Sequence, residues 1–205
     1  MVAAVIAATA RAQGSRVGVF KPAVSGLAEP GETDHELLRR AAGSAQDDDD
    51  IAPYRYDPPV SPHLAAELAG ETIDVGRLVE AAAEAARDTD LLVVEGVGGL
   101  LVPLTSDYLV RNLAVALGLP LVIAAASGLG TINHTLLTLE AAWTAELEVA
   151  AVVLTPWPSE PEAIHESNRE AIENLGGVAV RTLPQIDPAE PASWPPLEIE
   201  PVARN

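Results

Sequence analysis

Five short apolar runs, separated by helical patterns, constrain the fold of this sequence more than any other feature. They are rich in Val, Leu and Ile and do not alternate with polar residues, which is typical of strands buried on both faces of a parallel sheet. The runs are Val17–Phe20, Leu91–Val94, Leu121–Ala126, Val149–Leu154 and Val178–Leu183. Their alternation with helices predicts an α/β fold, a doubly wound, mostly parallel sheet with helices on both faces.

Helical patterns fill the segments between these runs. From Val2 the spacing i, i+3, i+4, i+7 predicts an amphipathic helix, and Thr33 with Glu36 has the capping-box pattern that opens a second one. Further helices are expected over Val75–Arg87, Ser106–Leu117, Thr131–Leu147 and Glu160–Leu175. Without a linker or an internal repeat, residues 1–205 are predicted to form a single domain that ends in a mostly irregular tail, from about 184 to 205.

Three smaller features are interpreted from their composition. Asp47–Asp50 is expected to be a solvated loop, and the proline-rich stretch from Pro53 to Pro62 a loop across the surface. Trp143, on a predicted helix, is expected in the core rather than on a stacking platform. The four histidines are not spaced as metal ligands.

Charge and composition exclude several classes of function. The 205 residues contain 12 Lys and Arg against 30 Asp and Glu, and this net charge of −18 argues against nucleic acid or an anionic membrane as the partner. The absence of cysteine excludes disulfides and thiolate metal sites and favours a reducing compartment, the cytoplasm. No apolar run reaches the roughly 20 residues of a membrane span. The first segment lacks the basic leader of a secretion signal and is interpreted as a helix.

Ligands of doubly wound sheets bind at the carboxyl ends of the strands, so the residues that follow each strand are candidate site residues. Lys21 and Ser25 follow the first strand, and Lys21 is the only lysine beside 11 arginines. Its compact ammonium can meet a phosphate or a carbamate head-on, which a planar guanidinium does less well. The alternative is a solvated lysine, the usual state of this residue type.

Two acidic residues are candidate metal ligands. Glu95 directly follows the second apolar run and precedes a glycine-rich turn, where a carboxylate suits Mg²⁺ beside a phosphate; the alternative is a cap for the next helix. Asp34 lies in the first turn of a predicted helix, where the dipole favours any acid. Taken alone, Asp34 is interpreted as a structural residue of the helix start. It is a candidate second oxygen ligand of Mg²⁺ only if it lies beside Glu95.

A predicted helix begins directly after the third strand, at Gly128–Asn133. Free backbone N–H groups and the positive end of the dipole at such a start bind carboxylate or phosphate. The alternative is an ordinary helix start, which is common.

Blocks of sequence in a fixed order carry a resemblance to one family. They cover most of the chain: KPAVSG at 21–26, TDHELL at 33–38, SPHLAA at 61–66, VVEGVGGLLVPL at 93–104 and GLGTINHTLLTLEA at 128–141. In these blocks the sequence resembles the dethiobiotin synthetases, which are enzymes of biotin synthesis. The resemblance implies a P-loop NTPase-like fold, a homodimer, Mg²⁺, and ATP as a co-substrate for closing CO2 and the diamine 7,8-diaminononanoate into a cyclic urea.

The resemblance also implies a role for individual residues. Lys21 would face the carbamate and the γ-phosphate, and Ser25 would hydrogen-bond the carbamate, which makes these two the expected catalytic residues. Asp34 and Glu95 would hold Mg²⁺. The expected substrate-binding residues are Ser25, Gly98, Gly130, Thr131, Ile132 and Asn133, the last four reaching the substrate carboxylate from the neighbouring subunit. The expected nucleotide-binding residues are Glu95, Gly96, Thr155, Pro156, Pro184 and Gln185.

The sequence departs from the family at two places. Thr155 stands where the family usually has an Asn that reads adenine, so other nucleoside triphosphates are open as substrates. The family's first strand and its G-x-x-x-x-G-K-[ST] phosphate loop are not in this sequence. We therefore expect an N-terminally truncated chain, begun at a valine codon read as a start, with impaired nucleotide binding.

Two other interpretations remain open at this point. The first is another P-loop ATPase or amide synthase of the same lineage, such as a cobyrinate amide synthase-like or partition-type ATPase. The second is a non-catalytic paralogue that serves as a binding module.

Overall fold

Parallel strand pairing dominates the computed structural model, which describes residues 1–199. The strands are β1 (Val17–Phe20), β2 (Val24–Ser25), β3 (Arg55–Tyr56), β4 (Leu91–Val94), β5 (Leu121–Ala125), β6 (Val149–Trp157) and β7 (Val180–Pro184). The helices are α1 (Val2–Ala12), α2 (Asp34–Ala42), α3 (Asp48–Ile51), α4 (Pro62–Ala69), α5 (Val75–Ala85), α6 (Val110–Leu117), α7 (Thr131–Thr144) and α8 (Ala163–Gly176). This order confirms the predicted α/β class.

The strands pair in three sheets rather than in one. Parallel ladders join β1 to β4, β2 to β3, and β5 to β6 to β7. The chain divides into two compact units, one of residues 3–117 and the other of residues 1–2 with those from 118 onward. The first unit holds the β1–β4 and β2–β3 pairs, and the second holds the three-stranded sheet.

Each unit has its own apolar core. In the first unit, Phe20, Leu78 and Leu104 are fully buried within one cluster. In the second, Leu139 of α7 and Ile172 of α8 pack against β6, whose central residues are buried. The apolar runs of the sequence therefore supply the strands, and the apolar faces of the helices cover them.

Side-chain hydrogen bonds cover the free edge of β1. Gln46 accepts a hydrogen bond from the Val19 N–H at 3.0 Å and donates to the Val19 carbonyl at 3.1 Å. One amide side chain thus takes the place that a neighbouring strand would occupy. The next backbone contact, from the Lys21 N–H to the Ile51 carbonyl at 2.8 Å, fixes the chain where β1 ends.

Several short elements differ from the expectations. Asp47–Asp50 is not a solvated loop: Asp47 caps α3, and its side chain accepts a hydrogen bond from the Asp50 N–H. The stretch from Pro53 to Pro62 is not simply a surface loop, because β3 runs through it and Tyr54 and Tyr56 are buried. β2, β3 and α3 have at most four residues, which is too few to show a period.

Element boundaries and one aromatic residue also differ. Helix α6 begins at Val110 rather than Ser106, because Pro103 and Leu109 form an antiparallel bridge that delays the helix. Trp143 is 45% exposed and is not a core residue. The expected tail is irregular from Gln185 to Ile199 apart from one 3-10 turn, and its last part, residues 200–205, lies outside the described residues. Within residues 1–199, no helix combines the length and the apolar character needed to cross a membrane.

Close packing of β1 against α5 makes Gly18 a sensitive position. An added Cβ would collide with the carbonyl oxygen of Ala85 and lie 3.0 Å from Cγ2 of Thr89. Because a helix backbone cannot yield as a flexible side chain can, we expect Gly18→Ala to lower the free energy of unfolding by about 1–3 kcal/mol. The matched control is Gly99→Ala, since nothing lies within 4 Å of a Cβ there. Urea unfolding of both variants tests this, and equal stabilities would contradict the packing.

Candidate functional site

Two strand ends of the first unit bring a lysine and a glutamate together. The parallel register of β1 and β4 pairs Phe20 with Val94, so the next residues, Lys21 and Glu95, leave the sheet side by side. The Glu95 N–H donates to the Phe20 carbonyl at 2.9 Å and extends the ladder by one step. The strand pairing itself therefore sets the distance between the two side chains.

A helix start supplies the third residue of this group. Asp34 is the first residue of α2, whose N-terminus is closed by the Glu36 carboxylate, which accepts the Thr33 N–H at 2.8 Å. The capping box predicted from Thr33 and Glu36 is confirmed. It fixes where the helix begins and so holds the Asp34 carboxylate in place.

Lys21 lies between the two carboxylates. Its Nζ is 2.6 Å from Oδ2 of Asp34 and 2.6 Å from Oε1 of Glu95. The Lys21 side chain is only 4% exposed, whereas those of Asp34 and Glu95 are 56% and 24% exposed. We call these three residues the Lys21 cluster. It carries one positive and two negative charges, so the expected meeting of the three residues is found, and Lys21 is not a solvated surface lysine.

Electrostatics favour the charged forms of Lys21 and Asp34. Burial lowers the pKa of Lys21, but the carboxylates of Glu95 and Asp34 raise it by more, so the pKa lies above the usual lysine value. Desolvation raises the pKa of Asp34, and the ammonium of Lys21 lowers it by more, so that pKa lies below its usual value. Lys21 and Asp34 are therefore an ion pair at neutral pH.

The donor set fits a hard divalent cation. The two carboxylate oxygens are at most 5.2 Å apart, since each lies 2.6 Å from the same nitrogen. Mg²⁺ takes oxygen ligands, commonly one or two carboxylates completed by water and phosphate oxygens. The net charge of the Lys21 cluster also favours an added cation. Within residues 1–199 no group of three or more His, Asp or Glu side chains is arranged to hold a metal.

The remaining predicted residues of this unit lie in the turns next to the cluster. Ser25 is half-buried in β2 and pairs with Tyr56, and it is not an ion-pair or hydrogen-bond partner of Lys21. Gly96 and Gly98 lie in the turn after β4. Gly98 has φ +67°, and a Cβ there would lie 2.9 Å from Cγ2 of Val102, so this turn requires a glycine.

The second unit has a pocket at the carboxyl ends of its strands. Its volume is about 470 Å³, and its lining residues are Ser127, Pro156, Trp157, Pro158, Ser159, His165, Pro184 and Gln185. Three of the expected nucleotide-binding residues, Pro156, Pro184 and Gln185, are thus brought together. Thr155 does not line this pocket. The other five had no site role predicted from the sequence, although Ser127 follows β5 and Trp157 follows the predicted strand Val149–Leu154.

The start of α7 has the geometry of an anion-binding helix end. Gly130 has φ +90° and no side chain caps the helix. The N–H groups of Ile132 and Asn133 have no intrahelical acceptor, as in any first turn. The Thr131 side chain is only 3% exposed and its hydroxyl lies 3.4 Å from that of Thr135. Thr131 is therefore a packing residue of the helix start, and its N–H already donates to the Gly128 carbonyl at 3.3 Å.

Asn168 is a polar residue in the buried stripe of α8, which it shares with Ile172 and Gly176. Its Nδ2 donates to the carbonyls of Ser127 and Gly128 at 3.0 and 3.1 Å. The sequence analysis did not find it. The sequence does contain an indication of it: Asn168 lies four residues before Ile172, so a polar residue interrupts the apolar face of the predicted helix.

Comparisons with known proteins agree with the sequence blocks. A family model described as an AAA domain matches residues 1–195. An ATP-dependent dethiobiotin synthetase of Anaeromyxobacter dehalogenans strain 2CP-1 is 46% identical over 154 residues, 75% of this chain and 69% of that protein. Those of Bacillus subtilis strain 168 and Rhodococcus erythropolis are 34% and 38% identical, over 85% and 87% of this chain and 76% and 78% of their own lengths.

The Lys21–Asp34 ion pair should stabilise the folded chain over a range of pH, and this stabilisation should be lost both at acidic and at alkaline pH. The contribution of Asp34, whose folded pKa is lowered, is present above the unfolded carboxyl pKa of about 3.9 and is lost as the pH falls through the folded value. The contribution of Lys21, whose folded pKa is raised, is complete below about pH 10.4 and is lost as the pH rises through the folded value.

Replacing Lys21 by Met should therefore raise the pKa of Asp34, measured by carbon NMR titration of its carboxyl group. The control is Arg16→Ala: hydrogen bonds from Arg16 lower the pKa of Asp90 to about 2, so this variant should raise the pKa of Asp90 and leave that of Asp34 unchanged. An Asp34 pKa that does not move in Lys21→Met would contradict the ion pair.

Proposed function

The chain belongs to the ATP-dependent dethiobiotin synthetase family, and we propose that it catalyses this family's reaction, the Mg·ATP-dependent closure of CO2 and 7,8-diaminononanoate to dethiobiotin. The family assigns it a ligase role in biotin synthesis. The observation that carries the finer proposal is the Lys21 cluster, a buried ammonium held between two carboxylates at adjacent strand ends.

The reaction needs charge neutralisation and positioning more than covalent help from the protein. One amine of the diamine adds to CO2 and gives a carbamate. A carbamate oxygen attacks the γ-phosphorus of ATP, and ADP leaves. The second amine then attacks the carbonyl carbon of the mixed anhydride, phosphate leaves, and the urea ring is closed.

Lys21 is suited to the anionic steps. Its ammonium has three protons, and the two carboxylates accept two of them, which leaves one for a carbamate or γ-phosphate oxygen. Since the pKa of Lys21 is raised, the group stays positive as it meets these anions. Ser25, four residues further along, supplies a hydroxyl for the carbamate.

Asp34 and Glu95 are the proposed ligands of Mg²⁺. Bound there, the ion would neutralise charge on the phosphate oxygens of ATP. Lys21, bonded to the same two carboxylates, would direct its remaining N–H at the substrate oxygens. The turn through Gly96 and Gly98 is the proposed backbone contact for the bound groups, since a glycine has no side chain to keep a ligand away.

Residues of the second unit are the proposed contacts for the base of the nucleotide and for the carboxylate of the substrate. The pocket that contains Pro156, Pro184 and Gln185 is the proposed base pocket, and no Asn lines it, so we expect a relaxed base preference. The free N–H groups at the start of α7 would bind the substrate carboxylate of a neighbouring subunit in a homodimer. The proposal also includes a cytoplasmic location.

Product formation tests the proposal. The chain is incubated with the diamine, bicarbonate, Mg²⁺ and ATP, and dethiobiotin and released phosphate are measured. Lys21→Met, Asp34→Asn and Glu95→Gln should each lower kcat/KM by about 10²–10³-fold, since each removes charge stabilisation from the phosphoryl transfer.

Asp90→Asn is the matched control, because Asp90 is a surface carboxylate paired with Arg16, and its activity should equal that of the wild type. ATP hydrolysis that depends on a different acid or amine would favour another amide synthase of the lineage. A chain that binds no nucleotide would favour the non-catalytic binding module. Either result would contradict the proposal.

A further inference from the structure

Two side chains of the second unit, Ser127 and Asn168, connect two loops that the proposed reaction uses separately. The Ser127 hydroxyl donates to the Pro156 carbonyl at 2.7 Å, in the loop that lines the base pocket. The Asn168 amide donates to the carbonyls of Ser127 and Gly128, in the turn that leads into α7. We call these three hydrogen bonds the Ser127–Asn168 link.

Both residues are buried, so most of the polar surface of their side chains is withdrawn from water. Ser127 is 8% exposed and Asn168 6%. A buried amide or hydroxyl without a partner costs free energy, whereas an apolar residue would pack beside Ile172 at no such cost. The amide at position 168 is therefore explained by the two carbonyls that it binds and not by packing.

The turn that Asn168 holds has little else to fix it. A Cβ at Gly128 or at Gly130 would meet nothing within 4 Å, and the Leu129 side chain between them is 93% exposed. Packing therefore does not determine the path of the turn. Its carbonyls are held by Asn168 and by the Thr131 N–H, which donates to Gly128 at 3.3 Å.

We propose that Ser127 and Asn168 are positioning residues that couple occupation of the base pocket to the anion-binding start of α7. The two ligands are those of the proposed function, on which this coupling rests. A base that enters the pocket contacts the wall formed by Ser127 and Pro156. Through the Ser127–Asn168 link, any shift of this wall reaches the peptide groups that precede Gly130 and so changes how the Ile132 and Asn133 N–H groups are aimed.

Coupling of this kind has a thermodynamic consequence. The nucleotide should change the affinity for the diamine carboxylate, and the diamine should change the affinity for the nucleotide by the same factor. A chain whose two loops were fixed independently would show a coupling factor of one.

The first experiment measures the link without any ligand. In Ser127→Ala, amide hydrogen exchange of the peptide covering residues 128–134 should accelerate about five- to tenfold, the size of one lost hydrogen bond, although the substitution removes no bond to that peptide. Asn168→Ala should accelerate exchange at Trp157 and Ser159. Thr138→Ala is the control, because it also removes a hydroxyl bound to a carbonyl, that of His134 on α7, and should leave Trp157 and Ser159 unchanged.

The second experiment measures the coupling factor. The Kd of the diamine is determined with and without a saturating non-hydrolysable ATP analogue and Mg²⁺. Wild type and Thr138→Ala should share a factor different from one. Asn168→Ala, at a position that does not line the pocket, should bring this factor to one while the Kd of each ligand alone changes less than threefold, about the effect of half a hydrogen bond. A general loss of structure would instead weaken each ligand alone.

Failure of the proposal and failure of the proposed function give different results. Unchanged exchange in residues 128–134 of Ser127→Ala, or equal coupling factors in wild type and Asn168→Ala, would overturn the proposal. A wild-type chain that binds nucleotide but not the diamine would contradict the proposed function, while accelerated exchange would still support the link.

Discussion

The ion pairs of Lys21 are the interaction on which the account of this protein depends. An ammonium that is 4% exposed is stable only because two carboxylates lie 2.6 Å from it. That geometry follows from backbone structure: the register of β1 with β4 sets Lys21 beside Glu95, and the capping box of α2 brings Asp34 to the same nitrogen. The cluster has an excess negative charge and a spare donor, which suit a divalent cation and an anionic substrate.

The strands and most helices were predictable because their apolar periods are long enough to recognise. β1 and β4 were predicted at their observed bounds, and Lys21, Asp34 and Glu95 were expected to meet because ligands bind where parallel strands end. The two-residue strands β2 and β3 carry no period of their own. Backbone N–H groups of Val24 and Leu27 pair them by donating to the carbonyls of Tyr54 and Tyr56, whose side chains are buried. The division of the strands among three sheets depends on long-range pairing, which a local pattern does not contain.

Residues that act through backbone carbonyls were the hardest to find from the sequence. Ser127 and Asn168 belong to no spacing motif, and Asn168 lies 41 residues from the carbonyl of Ser127 that it binds. Thr155 was expected at the nucleotide site but does not line the pocket, and Thr131, expected at the helix start that binds the substrate carboxylate, is buried beside Thr135. Which face of a strand or helix a polar residue occupies is decided by tertiary packing.

A carbon NMR spectrum of labelled bicarbonate mixed with the diamine and the chain is the most direct test of the role of Lys21. We expect the carbamate resonance to shift in the presence of the wild-type chain, because the ammonium of Lys21 binds that anion. The shift should disappear when Lys21 is replaced by Met. The same shifted resonance in both proteins would mean that the carbamate binds elsewhere, and it would contradict the account.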